Sequence, residues 1–183
     1  MKKYICLLVI ITFFSCKKNE PELKTAPSQK AHTETTTAKD LNETSAKVDV
    51  AFENSAFTEI YNAYLDVKAS LVNTDNETSA TATRAFLMLL KDNDVYAAIH
   101  NATVPFTEAT TVKERRVIFE KVSMAMETQI AKEKITSGAV YKQYCPMAFN
   151  GKGAYWLSNS NEVRNPYFGD QMLKCGVVEK EIK

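Results

Sequence analysis

Residues 57–72 read FTEIYNAYLDVKASLV, and their pattern sets the character of the folded part of the chain. The large side chains return at spacings of three and four, as they do on one face of an α-helix. The repeating positions are Phe57, Ile60, Tyr61, Tyr64, Lys68, Leu71 and Val72. This spacing predicts a helix from about Val50 to Val72, which the turn-forming run Asn73–Asn76 ends.

Three further helices are predicted downstream. A second runs from about Glu77 to Lys91, and a shorter third ends before Pro105, because the residue that precedes a proline disfavours helix. Thr111 with Glu114 three residues later is a capping box, which predicts a fourth helix that continues to about Ile135. Short connections favour antiparallel neighbours, so we expect a mainly α fold, an up-and-down bundle of about four helices.

After Gly138 the pattern changes from helical to extended. Asp170–Cys175 is predicted to form a short helical turn that begins at an aspartate cap. Three short runs are rich in β-branched and aromatic residues and are separated by turn formers: Val140–Tyr144, Ala154–Leu157 and Gly176–Val178. Residues 139–183 are therefore expected to form a small irregular or β cap on one end of the bundle.

The expected cap can bring four sulfur-bearing side chains to one spot. On the predicted turn Met172 and Cys175 are three residues apart and share a face, and Cys145 and Met147 share a face of an extended chain. Thiolate and thioether sulfur suit a soft ion such as Cu(I). These four residues are the candidate metal ligands.

Two residues are second-rank candidates for the same ion. The ring face of Trp156 attracts cations, and His100 near the end of the third helix could add a nitrogen ligand. Two alternatives remain open: Cys145 and Cys175 form a structural disulfide, or they are buried free thiols. In the disulfide alternative Met147, Trp156 and Met172 are core residues that fill space beside the bond.

Other methionines and two arginines are expected to have structural roles. Met88, Met124 and Met126 fall in or beside helical core stripes, which predicts that they pack in the core. Arg115 and Arg116 stand at a helix start, where we expect a solvated surface and consider an anionic partner as the alternative.

The N-terminus predicts the compartment. Lys2 and Lys3 precede a short apolar run, and Ser15-Cys16 then supplies a small residue and a cysteine, as in a bacterial lipoprotein signal. We therefore expect residues 1–15 to be a signal peptide and Cys16 to be acylated, which anchors the protein to a membrane of the bacterial cell envelope. A plain cleaved signal and a retained anchor are the alternatives, and the run is short for a membrane span.

Residues 16–47 are expected to form a disordered tether, and residues 48–183 the helical domain with its cap. The segment 17–47 has no aromatic residue and only two large aliphatic ones, too few to bury an ordering core. The chain has 23 basic and 22 acidic residues, a balance that gives no reason to expect nucleic acid as a partner. Apart from His32 in the tether, His100 is the one histidine, and no hydrolase or Cys-x-x-Cys motif is present, so we expect no enzyme.

Three motifs in the cap resemble a known family. They are VYKQYCPMA (140–148), GAYWLS (153–158) and NPYFG (165–169), the last followed by Met172-Leu173 and Cys175-Gly176. They resemble a bacterial domain of unknown function that occurs alone in secreted lipoproteins, largely of Bacteroidetes, and as the C-terminal module of periplasmic adaptors in heavy-metal efflux pumps. The resemblance covers about Ala56 to the end and implies a role in handling copper or related ions, with efflux components as partners.

Two functions follow as expectations. The first is an envelope-anchored binding protein for copper or a similar soft ion, linked to heavy-metal efflux or resistance. The second is a non-metal envelope interaction module that a Cys145-Cys175 disulfide stabilises.

Overall fold

The computed structural model describes residues 39–183, of which about 51% are helical. The predicted signal peptide and Cys16 lie outside these residues. The elements are, in order, β1 (Ala51–Phe52), α1 (Ser55–Val72), α2 (Asn76–Leu90), a 3-10 turn (Asp94–Tyr96), α3 (Ala97–Thr103), a second 3-10 turn (Val104–Thr107), α4 (Val112–Ile130), β2 (Ile135–Ser137), β3 (Val140–Cys145), α5 (Ala148–Gly151), β4 (Ala154–Ser158), a third 3-10 turn (Gly169–Met172) and β5 (Val177–Ile182).

Each long helix starts at a polar cap. The side chain of Asp75 accepts a hydrogen bond from the Thr78 N–H at 2.9 Å, and Asn54 does the same for α1. The predicted capping box is confirmed: Thr111 Oγ1 accepts from the Glu114 N–H at 3.2 Å, and the Glu114 carboxylate accepts from the Thr111 N–H at 3.0 Å. These bonds satisfy N–H groups that have no partner inside the helix.

The core between the helices is aromatic. Tyr61, Tyr64 and Phe119 have no exposed surface and form a stacked series, with ring centroids 6.2 and 5.1 Å apart. Phe52 and Phe57 add edge-on contacts to the same cluster. The stripe predicted on α1 is therefore the buried face of that helix.

Two antiparallel sheets complete the fold. β1 pairs with β2, and a three-stranded sheet has the order β4-β3-β5. The outer edge of β4 is hydrogen-bonded to the helices. The Leu157 N–H donates to the Tyr64 hydroxyl of α1 at 3.0 Å, and that hydroxyl bonds to Ser123 Oγ of α4 at 2.8 Å. An ion pair of 2.8 Å between Lys142 and Glu127 also joins β3 to α4.

The expected four-helix bundle is not confirmed, and the β part is larger than a small cap. The fourth helix ends at Ile130, because the chain turns at Ala131 and returns as β2 to pair with β1. The first helix likewise begins at Ser55 and not at Val50, since Ala51–Phe52 belong to that pairing. The strands expected in the cap are present, and β5 extends farther than predicted, to Ile182.

Residues 40–47, here called the strap, lie against the domain although the sequence assigned them to the tether. The Leu41 N–H donates to Asn73 Oδ1 at 2.8 Å, and the Ser45 N–H donates to Glu162 Oε1 at 3.0 Å. The ordered domain therefore begins earlier than residue 48. Within residues 39–183 no helix has the length and apolar character that crossing a bilayer requires.

Candidate metal or disulfide site

The two cysteines of the cap meet. Cys145 is the last residue of β3, and Cys175 follows the 3-10 turn Gly169–Met172. Their Sγ atoms are 3.1 Å apart, and both are free thiols. The structure thus brings together two of the four predicted sulfur ligands from positions 30 residues apart in the chain.

One thiol is enclosed and the other lies near the surface. Cys145 is buried, whereas Cys175 is half-buried. The hydrogen bond with Cys145, together with partial burial, raises the pKa of the Cys175 thiol above its ordinary value. Because the thiolate is the form that binds metal or attacks a disulfide, this shift favours the neutral and less reactive form of Cys175.

Asn165 fixes the backbone at Cys175. Its Nδ2 donates to the Cys175 carbonyl at 2.7 Å, and its Oδ1 accepts from the Tyr167 N–H at 2.8 Å. Its backbone N–H donates to the Leu173 carbonyl at 2.8 Å. Asn165 is fully buried, so one side chain ties both ends of the segment 165–175 together. The sequence did not show this link between Asn165 and Cys175.

The residue after Cys175 must be glycine. Gly176 has a φ of 145°, and a Cβ atom there would lie 2.8 Å from the Tyr144 carbonyl oxygen and 2.9 Å from the Trp156 ring. Residues other than glycine rarely adopt this backbone conformation. Neither the Tyr144 backbone nor the buried Trp156 ring has room to move away from an added Cβ atom. The close approach of Gly176 to β3 therefore helps to hold Cys175 against Cys145.

Trp156 lies in the core beside the thiols. It stands opposite Gln143 in the β3–β4 register, is fully buried, and packs edge-on against Tyr167 with centroids 5.8 Å apart. Its Nε1 and the Gln143 Oε1 are buried without a hydrogen-bond partner among the described residues. The prediction that Trp156 fills space is thus consistent with its packing.

The two candidate methionines lie outside the core. Met147 is 55% exposed, and Met172 is half-buried with its carbonyl accepting the Cys175 N–H at 3.0 Å. Neither belongs to the cluster of packed hydrophobic residues. Their expected alternative role as core filler is therefore wrong for both.

The three methionines of the helices differ in their exposure. Met126 is buried as expected, but Met88 is 77% exposed and Met124 is 59% exposed. The core prediction is wrong for these two, because each lies beside the buried stripe of its helix and not in it.

His100 belongs to a different part of the surface. It lies on α3 and lines a cleft of about 560 Å³ whose walls also include Met88, Asp92 and Val104 but neither cysteine. Among residues 39–183 no group of three or more His, Cys, Asp or Glu side chains is arranged to hold a metal ion. A metal at the cap would therefore depend on the thiol pair and thioether sulfur.

The sequence did not reveal the role of Lys68. It was placed on the apolar stripe of α1, and it is only 3% exposed. Its Nζ donates to Asn42 Oδ1 at 3.0 Å and to Ser158 Oγ at 3.4 Å, with no carboxylate in ion-pair contact among the described residues. Burial, then the charges of Lys47 and Arg164, lowers its pKa to about 7, and the charge of Asp40 opposes them. The signal was present in the sequence as a lysine at a core position.

Comparison with known protein families, with curated proteins and with solved structures finds no match for this chain.

Proposed function

We propose that this protein is an envelope-anchored binding protein for Cu(I) or a similarly soft ion, with Cys145 and Cys175 as thiolate ligands. Met172 and Met147 supply thioether ligands, and acylated Cys16 attaches the chain to the membrane. The observation that carries the proposal is the 3.1 Å separation of the two thiols, which are flanked in sequence by methionines outside the core.

The separation of the thiols is close to what a shared ion needs. With metal–sulfur bonds of about 2.3 Å, two sulfurs on one tetrahedral ion are about 3.8 Å apart. Cys175 is half-buried, so rotation of its side chain can supply this small displacement without a change in the backbone. Sulfur ligands of this kind select soft ions over Mg²⁺ or Ca²⁺, which require oxygen.

The environment of Cys175 favours metal binding over thiol reactivity as the role of the pair. Because the pKa of Cys175 is raised, the metal-free Cys175 thiol is a poor nucleophile at neutral pH. Metal binding must release the thiol protons, so the apparent affinity increases with pH, by up to about tenfold per pH unit for each proton displaced. The resemblance of the cap motifs to modules of heavy-metal efflux adaptors supports the same function and suggests efflux components as partners.

An anaerobic Cu(I) titration against a chromophoric competitor tests the proposal on the fully reduced protein. We expect one ion per chain, loss of binding in the Cys145→Ser, Cys175→Ser variant, and weaker binding in the Met147→Leu, Met172→Leu variant. The control is Met88→Leu, Met124→Leu, which changes two methionines that are also exposed and should bind as the wild type does. No uptake by the reduced wild type, or equal uptake by all the variants, would overturn the proposal.

The second candidate is a non-metal envelope interaction module stabilised by a Cys145-Cys175 disulfide. The short Sγ–Sγ separation favours it, because oxidation needs the sulfurs to approach by only about 1 Å. A bond that closes a loop of this length stabilises by roughly 3 to 4 kcal/mol in the chain-entropy model. A thiol count on unreduced protein, together with resistance of the bond to millimolar glutathione, would favour this candidate.

A further inference from the structure

Two adjacent arginines at the start of α4 differ in what binds them. Arg115 is buried, and all of its nitrogens donate to protein oxygens: Asn76 Oδ1 at 3.0 Å, the Phe106 carbonyl at 3.4 Å and the Ala109 carbonyl at 2.7 Å. It is a structural residue. The expectation of a solvated pair is therefore wrong for Arg115, and its role is complete without a partner.

Arg116 is held in place but not neutralised. Its Nε donates to the Pro166 carbonyl at 2.8 Å, and its Nη2 donates to the Leu71 carbonyl at 2.9 Å and to Thr74 Oγ1 at 3.1 Å. All three acceptors are neutral oxygens. Nη1 donates no hydrogen bond to any described residue, so one edge of the guanidinium is available to a ligand.

No acid compensates this charge at close range. None of the ion pairs formed within residues 39–183 includes Arg116, and the carboxylate of Asp170 acts on it only from beyond 4.0 Å. Partial burial lowers the pKa of Arg116, which Asp170 opposes, but an arginine stays protonated under all ordinary conditions. A half-buried, permanent cation thus has no counter-ion in direct contact among the described residues.

Arg116 lines a cavity of about 280 Å³ between α4 and the segment that follows β3. Lys113, one turn earlier on α4, adds a second cation to the wall. The rest of the wall is largely apolar: Val117, Ala148, Phe149, Tyr167 and Phe168, with Asn150 beside them. The cavity therefore combines positive charge with flat aromatic surfaces.

The aromatic wall depends on an unusual backbone. Phe149 has φ 51° and ψ 52°, and Asn150 has φ 60° and ψ 40°, so two consecutive residues other than glycine are left-handed. Each costs on the order of 1–3 kcal/mol and persists only where the surroundings enforce it. The Phe149 ring meets Tyr167 edge-on with centroids 5.3 Å apart, so this conformation sets one ring of the wall. Such conformations cluster at ligand sites.

We propose that this cavity binds a small organic carboxylate with a flat apolar body. The carboxylate accepts from Arg116 Nη1 and pairs with Lys113, and the body lies against Phe149 and Phe168. Charge-assisted hydrogen bonds from arginine to a carboxylate are among the stronger polar contacts in proteins. Because the Arg116 guanidinium is already half-buried, ligand binding adds little to its desolvation cost. The site is separate from the thiol pair and independent of its proposed function.

The dimensions and the walls restrict the ligand. A volume slightly below the usual range for drug-sized ligands fits a molecule of about ten to fifteen non-hydrogen atoms. Strongly hydrated phosphate is a poor match for a wall of three aromatic rings, and a metal ion would be repelled by the two cations. A monocarboxylate satisfies both the charge and the apolar surface.

Phenylacetate is a suitable probe, and 2-phenylethanol is the matched neutral molecule. We expect saturable shifts in the amide spectrum of the full domain with millimolar phenylacetate, centred on residues 113–117 and 148–150, and binding by 2-phenylethanol at least about tenfold weaker. Shifts spread over the surface, or equal binding of the alcohol, would overturn the proposal.

Variants of residues in the cavity wall test the contributions of charge and of shape to phenylacetate binding separately. Lys113→Glu is expected to weaken phenylacetate binding by about tenfold, and Val117→Trp, which fills the mouth, is expected to abolish it. Lys121→Glu makes the same charge change at an exposed residue of α4 outside the cavity and should bind as the wild type does. Arg116→Gln should abolish binding while the fold is retained. If that variant fails to fold, Lys113→Glu and Val117→Trp decide, and unchanged binding in both would refute the site.

Discussion

The helical region, residues 55–130, and the C-terminal region, residues 138–183, achieve order by different means. The helical region packs large rings such as Tyr61, Tyr64 and Phe119 around one core. The C-terminal region contains all five glycines of the chain, each with a positive φ. The first region therefore depends on side-chain volume, and the second on backbone conformations that few residues adopt.

The largest effect is expected where the two regions meet. Phe119 stacks on Tyr64 and also contacts Tyr167, with centroids 5.1 and 6.2 Å away. Phe119→Ala should reduce the free energy of unfolding by about 3–5 kcal/mol, because the cavity it leaves cannot collapse. Urea denaturation followed by circular dichroism and by Trp156 fluorescence measures the loss.

The same experiment tests whether the regions unfold together. Coincident transitions at the two probes would show one cooperative unit, whereas an earlier fluorescence transition would show that the C-terminal region opens first. Val117→Ala, on the exposed side of α4, is the control and should cost less than about 0.5 kcal/mol.

The second effect concerns Lys68, which lies between α1, the strap and β4. Its pKa is about 7 in the folded protein and near 10.5 when unfolded, so the unfolded chain binds more protons between these values. Stability should therefore rise with pH from about 7 to 10.5, by up to about 5 kcal/mol, and be insensitive to this group below pH 7. Unfolding free energies measured across this window give the slope.

Lys68→Met removes the titrating group and keeps the length of the side chain. We expect this variant to be more stable than the wild type at pH 7 and to lose the rise with pH. Lys91→Met, at an exposed lysine, is the control and should retain the slope. A wild-type slope that persists in Lys68→Met would assign the titration to another group.

A third effect tests how far the C-terminal region depends on its glycine backbone conformations. Gly176→Ala introduces a Cβ 2.8 Å from the Tyr144 carbonyl oxygen and should cost about 2–3 kcal/mol. Gly151 also has a positive φ of 83°, but open space surrounds the added atom, so Gly151→Ala should cost only about 1 kcal/mol. Thermal unfolding of the two variants compares contact plus conformation with conformation alone. Equal losses would show that the close approach to β3 contributes nothing.

The smallest effect is local to α4. Thr111→Ala removes the side-chain half of the capping box and should cost about 1 kcal/mol, while Thr111→Ser retains the hydroxyl and should be nearly neutral. Urea denaturation of the two variants measures the difference. A loss equal to that of Gly176→Ala would contradict the idea that the helical region tolerates changes outside its core.

Local signals predicted local structure. The capping box at Thr111 and Glu114, the stripe on α1 and the strands β3 and β4 follow from spacing and residue type within about twenty residues. The end of α4 at Ile130 did not follow, because it depends on pairing between Ile135–Ser137 and Ala51–Phe52, distant in the chain. Helical spacing cannot report such a partner.

At the candidate site, too, the sequence indicated some contacts and not others. The sequence indicated that Cys145 and Cys175 can meet, since each shares a face with a methionine, and the structure brings these two residues together. It did not reveal that Asn165 binds the Cys175 carbonyl, or that Arg116 is held by three neutral oxygens. Those contacts depend on where loops return after folding, which residue type alone does not encode.

The strap has a mechanical consequence. It bonds to residues 160–164 through Ser45, Glu43 and Lys47, and this loop leads directly to Asn165. Tension applied to the chain before Asp40 would load the bonds of Asp40 and Leu41 to Asn73, at the end of α1, and then these bonds to residues 160–164. Force from the N-terminal side would then travel a short distance to the carbonyl of Cys175, so pulling on the molecule and the spacing of its two sulfurs are coupled by a few polar contacts.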